Sequence, residues 1–149
     1  MWKLEASERI ARWREFRKSL NSLPLDESLS RVVEFWNGCP FTPYYLDPDT
    51  PENWPDPWTL VEENYYCDLA KALGIVYTIY FTSHKNLSPE IRVYYDPTSK
   101  LTYNLVWIDQ GKYVLNLIGG EVVNKTQIPK DLKLVKTLTA SDMSLEKLQ

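Results

Sequence analysis

Residues 64–84 read NYYCDLAKALGIVYTIYFTSH, and the fold turns on how that stretch is divided. It holds Cys67 in a helical pattern, an apolar run after Gly74, and His84, the single histidine of the chain. Just upstream, Asp56-Pro57 is a helix start, with an N-cap acceptor followed by proline at the first helical position. The pattern predicts one helix from Pro57 to Leu73 with Gly74 at its C-terminal cap. The β-branched and aromatic run IVYTIYFT then reads as a strand. EIRVYYD, LTYNLVWID and KYVLNL follow, separated by the turn chemistry of KNLSP, DPTSK and DQG, which makes four strands in a meander. Gly119-Gly120 suggests a further hairpin into EVVN, and DLKLVKTLTASDMSLEKLQ a short strand followed by a polar or weakly helical tail.

Working towards the N-terminus, Ile10, Trp13, Phe16 and Leu20 fall on one face of a helix over residues 5–20. Leu23-Pro24 breaks it, and Asp26 caps a second helix whose Leu29, Val32, Val33 and Trp36 line one side until Asn37-Gly38. Pro40, Pro43, Pro48, Pro51 and Pro55 then forbid a continuous helix or central strand. The aromatic side chains between them call for an ordered arm packed along the domain or onto a partner. Helices followed by a run of antiparallel strands specify an α+β fold, in which the Cys67 helix packs on a sheet of four to five strands. With 149 residues one domain is expected: N-terminal helices at 1–38, the arm at 39–56, helix plus sheet at 57–135 and a tail at 136–149.

The 17 basic and 20 acidic residues are interspersed for a net charge of −3, which offers no electrostatic footprint for nucleic acid. Arg9, Arg12, Arg14, Arg17 and Lys18 share a helix with three glutamates and read as a solvated face. No run approaches the length of a membrane span, and no signal-peptide pattern opens the chain. Cys39 and Cys67 alone cannot build a disulfide framework or a four-ligand zinc site. Asp47, Asp49, Glu62 and Glu63 match no calcium-loop spacing. No cofactor and no metal are expected.

A thiol nucleophile needs a base within hydrogen-bond reach. With the strand assignment above, a helix rise of roughly 10 Å from Cys67 to Gly74 is followed by an extended return of about 30 Å to His84. His84 then overshoots the thiol by about 20 Å. CDLAKALGI, TYNLVWID and GKYVLNL nevertheless resemble, over residues 60–118, the transglutaminase-like and papain-like thiol enzymes, where a cysteine helix precedes strands bearing histidine and then aspartate. Carried over, the resemblance puts Asn104 at the position of the base and Asn116 at that of its orienter, and neither amide takes up a proton near neutral pH. WPDPW, YCDLAKALGI and NLVWIDQGKYVLN also resemble small proteins of tailed bacteriophages, which implies a virion component of the neck, tail or baseplate. The resulting expectation is a non-enzymatic assembly protein, made in the host cytoplasm, that docks onto protein subunits through Trp13, Phe16, Tyr44, Tyr45 and Trp54. The alternatives are a cysteine hydrolase or acyltransferase using Cys67 with His84, and a module that binds peptide along a sheet edge.

Overall fold

The computed structural model describes residues 1–148, without the side chain of Lys85. Four helices, α1 (Ala6–Leu20), α2 (Leu25–Asn37), α3 (Pro57–Glu63) and α4 (Asp68–Tyr80), precede a five-stranded antiparallel sheet. The strands are β1 (Glu90–Tyr95), β2 (Thr102–Ile108), β3 (Tyr113–Leu115), β4 (Val122–Val123) and β5 (Lys133–Leu138), in the order β4-β3-β2-β1-β5. The α+β reading therefore holds, with α4 as the helix on the sheet.

The division of residues 57–82 differs from the expected one. The helix begun at Asp56-Pro57 stops at Glu63, because Asn64 turns to the left-handed conformation (φ 60°) and its side-chain amide donates to the Trp2 carbonyl. A new helix starts at Cys67 and runs through Gly74 to Tyr80, so IVYTIY is helical. Ten of the thirteen residues of α4 are buried. A helix apolar on all sides shows no 3.6-residue period and cannot be told from a buried strand by pattern. Gly74 is a packing residue rather than a cap, since a Cβ there would lie 2.4 Å from the Trp36 ring.

The helical layer is joined to α4 by one hydroxyl. Thr78 Oγ1 accepts from Trp13 Nε1 of α1 at 3.0 Å and from Trp36 Nε1 of α2 at 2.9 Å, and donates to the Gly74 carbonyl at 2.7 Å. Both indoles are fully buried, and this hydroxyl is what satisfies them. Trp13 is thus core rather than docking face, and Phe16 stacks on Phe35 at 4.1 Å. Arg9 and Arg17 leave the expected solvated face as well. Arg9 is buried and donates to the carbonyls of Leu4, Val61 and Glu62, while the Arg17 guanidinium sits 4.1 Å over the Trp13 ring. Asp26 does not cap α2, whose N-cap is Pro24; it accepts instead from the Tyr113 hydroxyl at 2.6 Å.

Ile91, Val93, Val106, Ile108 and Leu115 face α4, whereas Tyr94, Leu105, Val114 and Val123 form a second cluster on the other face, covered by Leu117, Ile128 and Leu132. β1 pairs with β2 with Val93 opposite Asn104, and β2 pairs with β3 with Val106 opposite Leu115. These registers put Asn104 and the residue after β3, Asn116, beside the first turn of α4. The arm is ordered: Tyr77 donates to the Pro55 carbonyl at 2.7 Å, and Trp54 Nε1 to the Asp47 carbonyl at 2.7 Å.

Thr78→Val keeps the volume but leaves two buried N–H groups unpaired, each costing about 1–3 kcal/mol. Urea denaturation should show a loss of roughly 2–5 kcal/mol, against about 1 kcal/mol for Thr78→Ser, which sheds one methyl group. Equal losses for the two variants would show that the methyl contact, not the hydroxyl, holds the layer.

Candidate active site

Cys67 is the N-cap of α4. Its backbone is extended (φ −74°, ψ 174°), and its Sγ accepts the Ala70 N–H at 3.4 Å. The positive end of the helix macrodipole therefore faces the sulfur. The arm fixes the approach to this turn, because Phe41 and Tyr66 form a parallel bridge and the Thr42 N–H donates to the Tyr66 carbonyl at 2.9 Å. Tyr66 is buried, with its hydroxyl on the Leu60 carbonyl at 3.2 Å.

Asp68, the next residue, is bonded to the sheet. Its Oδ2 accepts from the Asn104 backbone N–H at 3.1 Å and from Asn104 Nδ2 at 2.9 Å, while Oδ1 accepts from Asn116 Nδ2 at 3.2 Å. Asn116 Nδ2 also reaches the Asn104 carbonyl at 2.9 Å. Asn116 adopts φ 71°, a left-handed conformation that asparagine tolerates better than most residues. The two asparagines matched to a base and its orienter thus do converge on the start of the cysteine helix, and they engage the carboxylate of Asp68.

A cavity of about 200 Å³ opens beside this turn. Cys67, Asp68 and Lys71 of the first turn line one side, with Tyr66, Asn37, Cys39 and Phe41 around them. Phe41 is 74% exposed at its mouth. A larger cleft of about 710 Å³ lies across the sheet, lined by Glu90, Arg92, Trp107 and Lys125 among others. Neither cysteine lines it, and Arg92 there is bonded to Glu90 at 2.7 Å and stacked 3.7 Å over Trp107. The smaller cavity is where thiol chemistry can take place.

Burial pushes the Cys39 thiol up to about 11, an effect that Lys71 opposes and Asp68 reinforces. Burial likewise raises the Tyr66 and Tyr77 phenols, and raises Tyr45 together with its hydrogen bond to Glu63. Of the remaining residues singled out from sequence, His84 lies beyond the far end of α4, a helix of thirteen residues and thus about 20 Å from Cys67. The separation of the pair comes from opposite ends of one helix, not from a strand that overshoots. Tyr44 is wholly exposed on left-handed backbone, and Tyr45 and Trp54 are partly buried against the domain. Asp68, Lys71 and Tyr66 were not singled out by sequence reasoning. The signal available for Asp68 was a carboxylate in the first turn of a helix otherwise too apolar to be exposed.

No family model matches the chain, and no curated relative does. Among solved structures, the chain is similar to Legionella pneumophila LapG, with TM-score 0.70 and 17% identity over 91% of this chain and 76% of that one. The calcium-bound form of LapG gives TM-score 0.71 and 18% identity over 93% and 78% of the two chains. The EGTA-treated form gives 0.70 and 18% over 91% and 74%. The fold is transglutaminase-like. This corrects the expectation of a non-enzymatic virion assembly part: LapG is a calcium-dependent cysteine protease, and no virion protein supports the phage resemblance. Among the described residues no group of three His, Cys, Asp or Glu side chains is placed to hold a metal ion.

Raised thiol and phenol values stabilise the fold below their unfolded values, 9.0 for Cys39 and 10.0 for tyrosine, and that contribution is lost as pH rises through the folded ones. Between these limits the folded chain binds more protons than the unfolded chain. Melting temperature should therefore be level up to about pH 9 and fall steadily towards pH 11. A melting temperature that holds or rises over that interval would refute the burial of these groups.

Proposed function

We propose that this protein is a cysteine-dependent hydrolase or acyltransferase of transglutaminase-like fold, with Cys67 as its nucleophile. The observation that carries the reading is the seat of the sulfur: an N-cap position, an N–H directed at Sγ, and an adjoining cavity that can admit an acyl group. The helix N-terminus favours negative charge on the attacking atom and on an oxyanion forming next to it. Lys71, on the same side of the cavity, adds a cation. Phe41 at the mouth and Tyr66 within offer apolar walls to the acyl chain. The likeness to LapG supports the same assignment, since a cysteine protease is built on this framework.

Cys67 attacks a carbonyl carbon in its thiolate form, forms an acyl-enzyme and passes the acyl group to water or to another nucleophile. The cavity's second thiol is the less favoured nucleophile, because burial pushes Cys39 up to about 11. Iodoacetamide at pH 7.5 followed by peptide mapping tests the assignment. Although Cys67 is 8% exposed and Cys39 is half-buried, the sulfur seated at the helix N-terminus should be alkylated at least about tenfold faster than Cys39, and Cys67→Ser should leave the folded protein unlabelled. Protection of both thiols until the chain unfolds would remove the nucleophile.

A further inference from the structure

We infer that the acyl donors of this site are thioesters and activated esters of small acyl groups, and not amides. The inference rests on Cys67 being the nucleophile and follows from what surrounds it. Cleaving an amide requires the departing nitrogen to be protonated as the C–N bond breaks, the task of a positioned acid. Asn104 and Asn116, which the resemblance matches to a base and its orienter, are each tied to Asp68 as a donor of N–H bonds. A carboxamide neither accepts the thiol proton nor delivers it to a leaving amine. Asp68 uses both of its oxygens as acceptors from three N–H groups. A lysine ammonium is in general a poor acid near neutral pH. His84 is at the other end of α4.

A thiolate leaving group needs no proton. The Cys67 thiol loses its proton to solvent, and the thiolate attacks the donor's carbonyl carbon, pushing the C=O electron pair onto oxygen. The tetrahedral adduct collapses, the C–S bond of the donor breaks, and the donor thiolate departs with its electron pair. One thioester has been exchanged for another, with no net oxidation. Transfer to a thiol acceptor repeats the step in reverse order, and transfer to hydroxide releases the acid. A cavity of about 200 Å³ limits the acyl group to a short chain.

Three donors of one acetyl group decide the matter: an acetyl thioester of a simple alkyl thiol, p-nitrophenyl acetate and acetanilide, each incubated with the full chain and with Cys67→Ser. Acetyl transfer is read by intact mass and peptide mapping, turnover by released thiol, nitrophenol or aniline, and each rate is compared with that of free N-acetylcysteine. The thioester and the activated ester should acetylate Cys67 faster than they acetylate the free thiol. Acetanilide should give no release above buffer, in keeping with the 10²- to 10⁴-fold that general acid–base catalysis supplies and this site lacks. Aniline release that disappears in Cys67→Ser would overturn the donor class and leave the nucleophile standing. Acetylation of Cys67 no faster than free thiol by any donor would overturn the nucleophile itself.

Discussion

One carboxylate holds the start of the central helix against the sheet. Asp68 takes a backbone N–H and a side-chain amide from β2 and a second amide from the end of β3, so the first turn of α4 is tied to two adjacent strands at once. Its negative charge also sits at the positive end of the helix, where it is favoured. A half-buried carboxylate without partners would be costly, and the three donors remove most of that cost. Because Cys67 immediately precedes Asp68, fixing the carboxylate fixes the sulfur.

The other end of the same rigid element is held by chemistry of a different kind. Thr78, almost three turns further along, uses its single hydroxyl for two indoles and a carbonyl, so α1 and α2 are locked to α4 through hydrogen bonds as well as apolar contact. Gly74 lets the Trp36 ring lie against the helix between these two anchors. A helix gripped at its first turn by the sheet and near its last turn by the helical layer has little freedom to shift its N-terminus. That rigidity is what a site composed of one sulfur and one N–H requires.

Much of this was legible in the residues, and the gaps have physical causes. Asp56-Pro57 marked a helix start because capping is local, and the strands from Glu90 onwards were visible because turns with strong chemistry separate them. IVYTIY was misread because a helix buried on every side loses its period. Trp13 and Phe16 looked like a docking stripe because a helix face cannot reveal whether its partner is another chain or this chain's own α2 and α4. At the site, Cys67 and the positions of Asn104 and Asn116 came from family pattern, which preserves order along the chain. Asp68 was missed because its partners are 36 and 48 residues away, and only the strand registers bring them to it.

The amides at 104 and 116 tie the start of the cysteine helix to the sheet through Asp68. The proposed function makes a positional claim: residues 104 and 116 are places from which a base and its orienter could act on Cys67. Installing Asn104→His together with Asn116→Asp and measuring hydrolysis of a peptide amide tests it most directly. Cleavage should appear in the double variant, follow the ionisation of the new imidazole, and vanish when Cys67→Ser is added. A folded double variant that cleaves no amide, or cleaves it without Cys67, would contradict the placement.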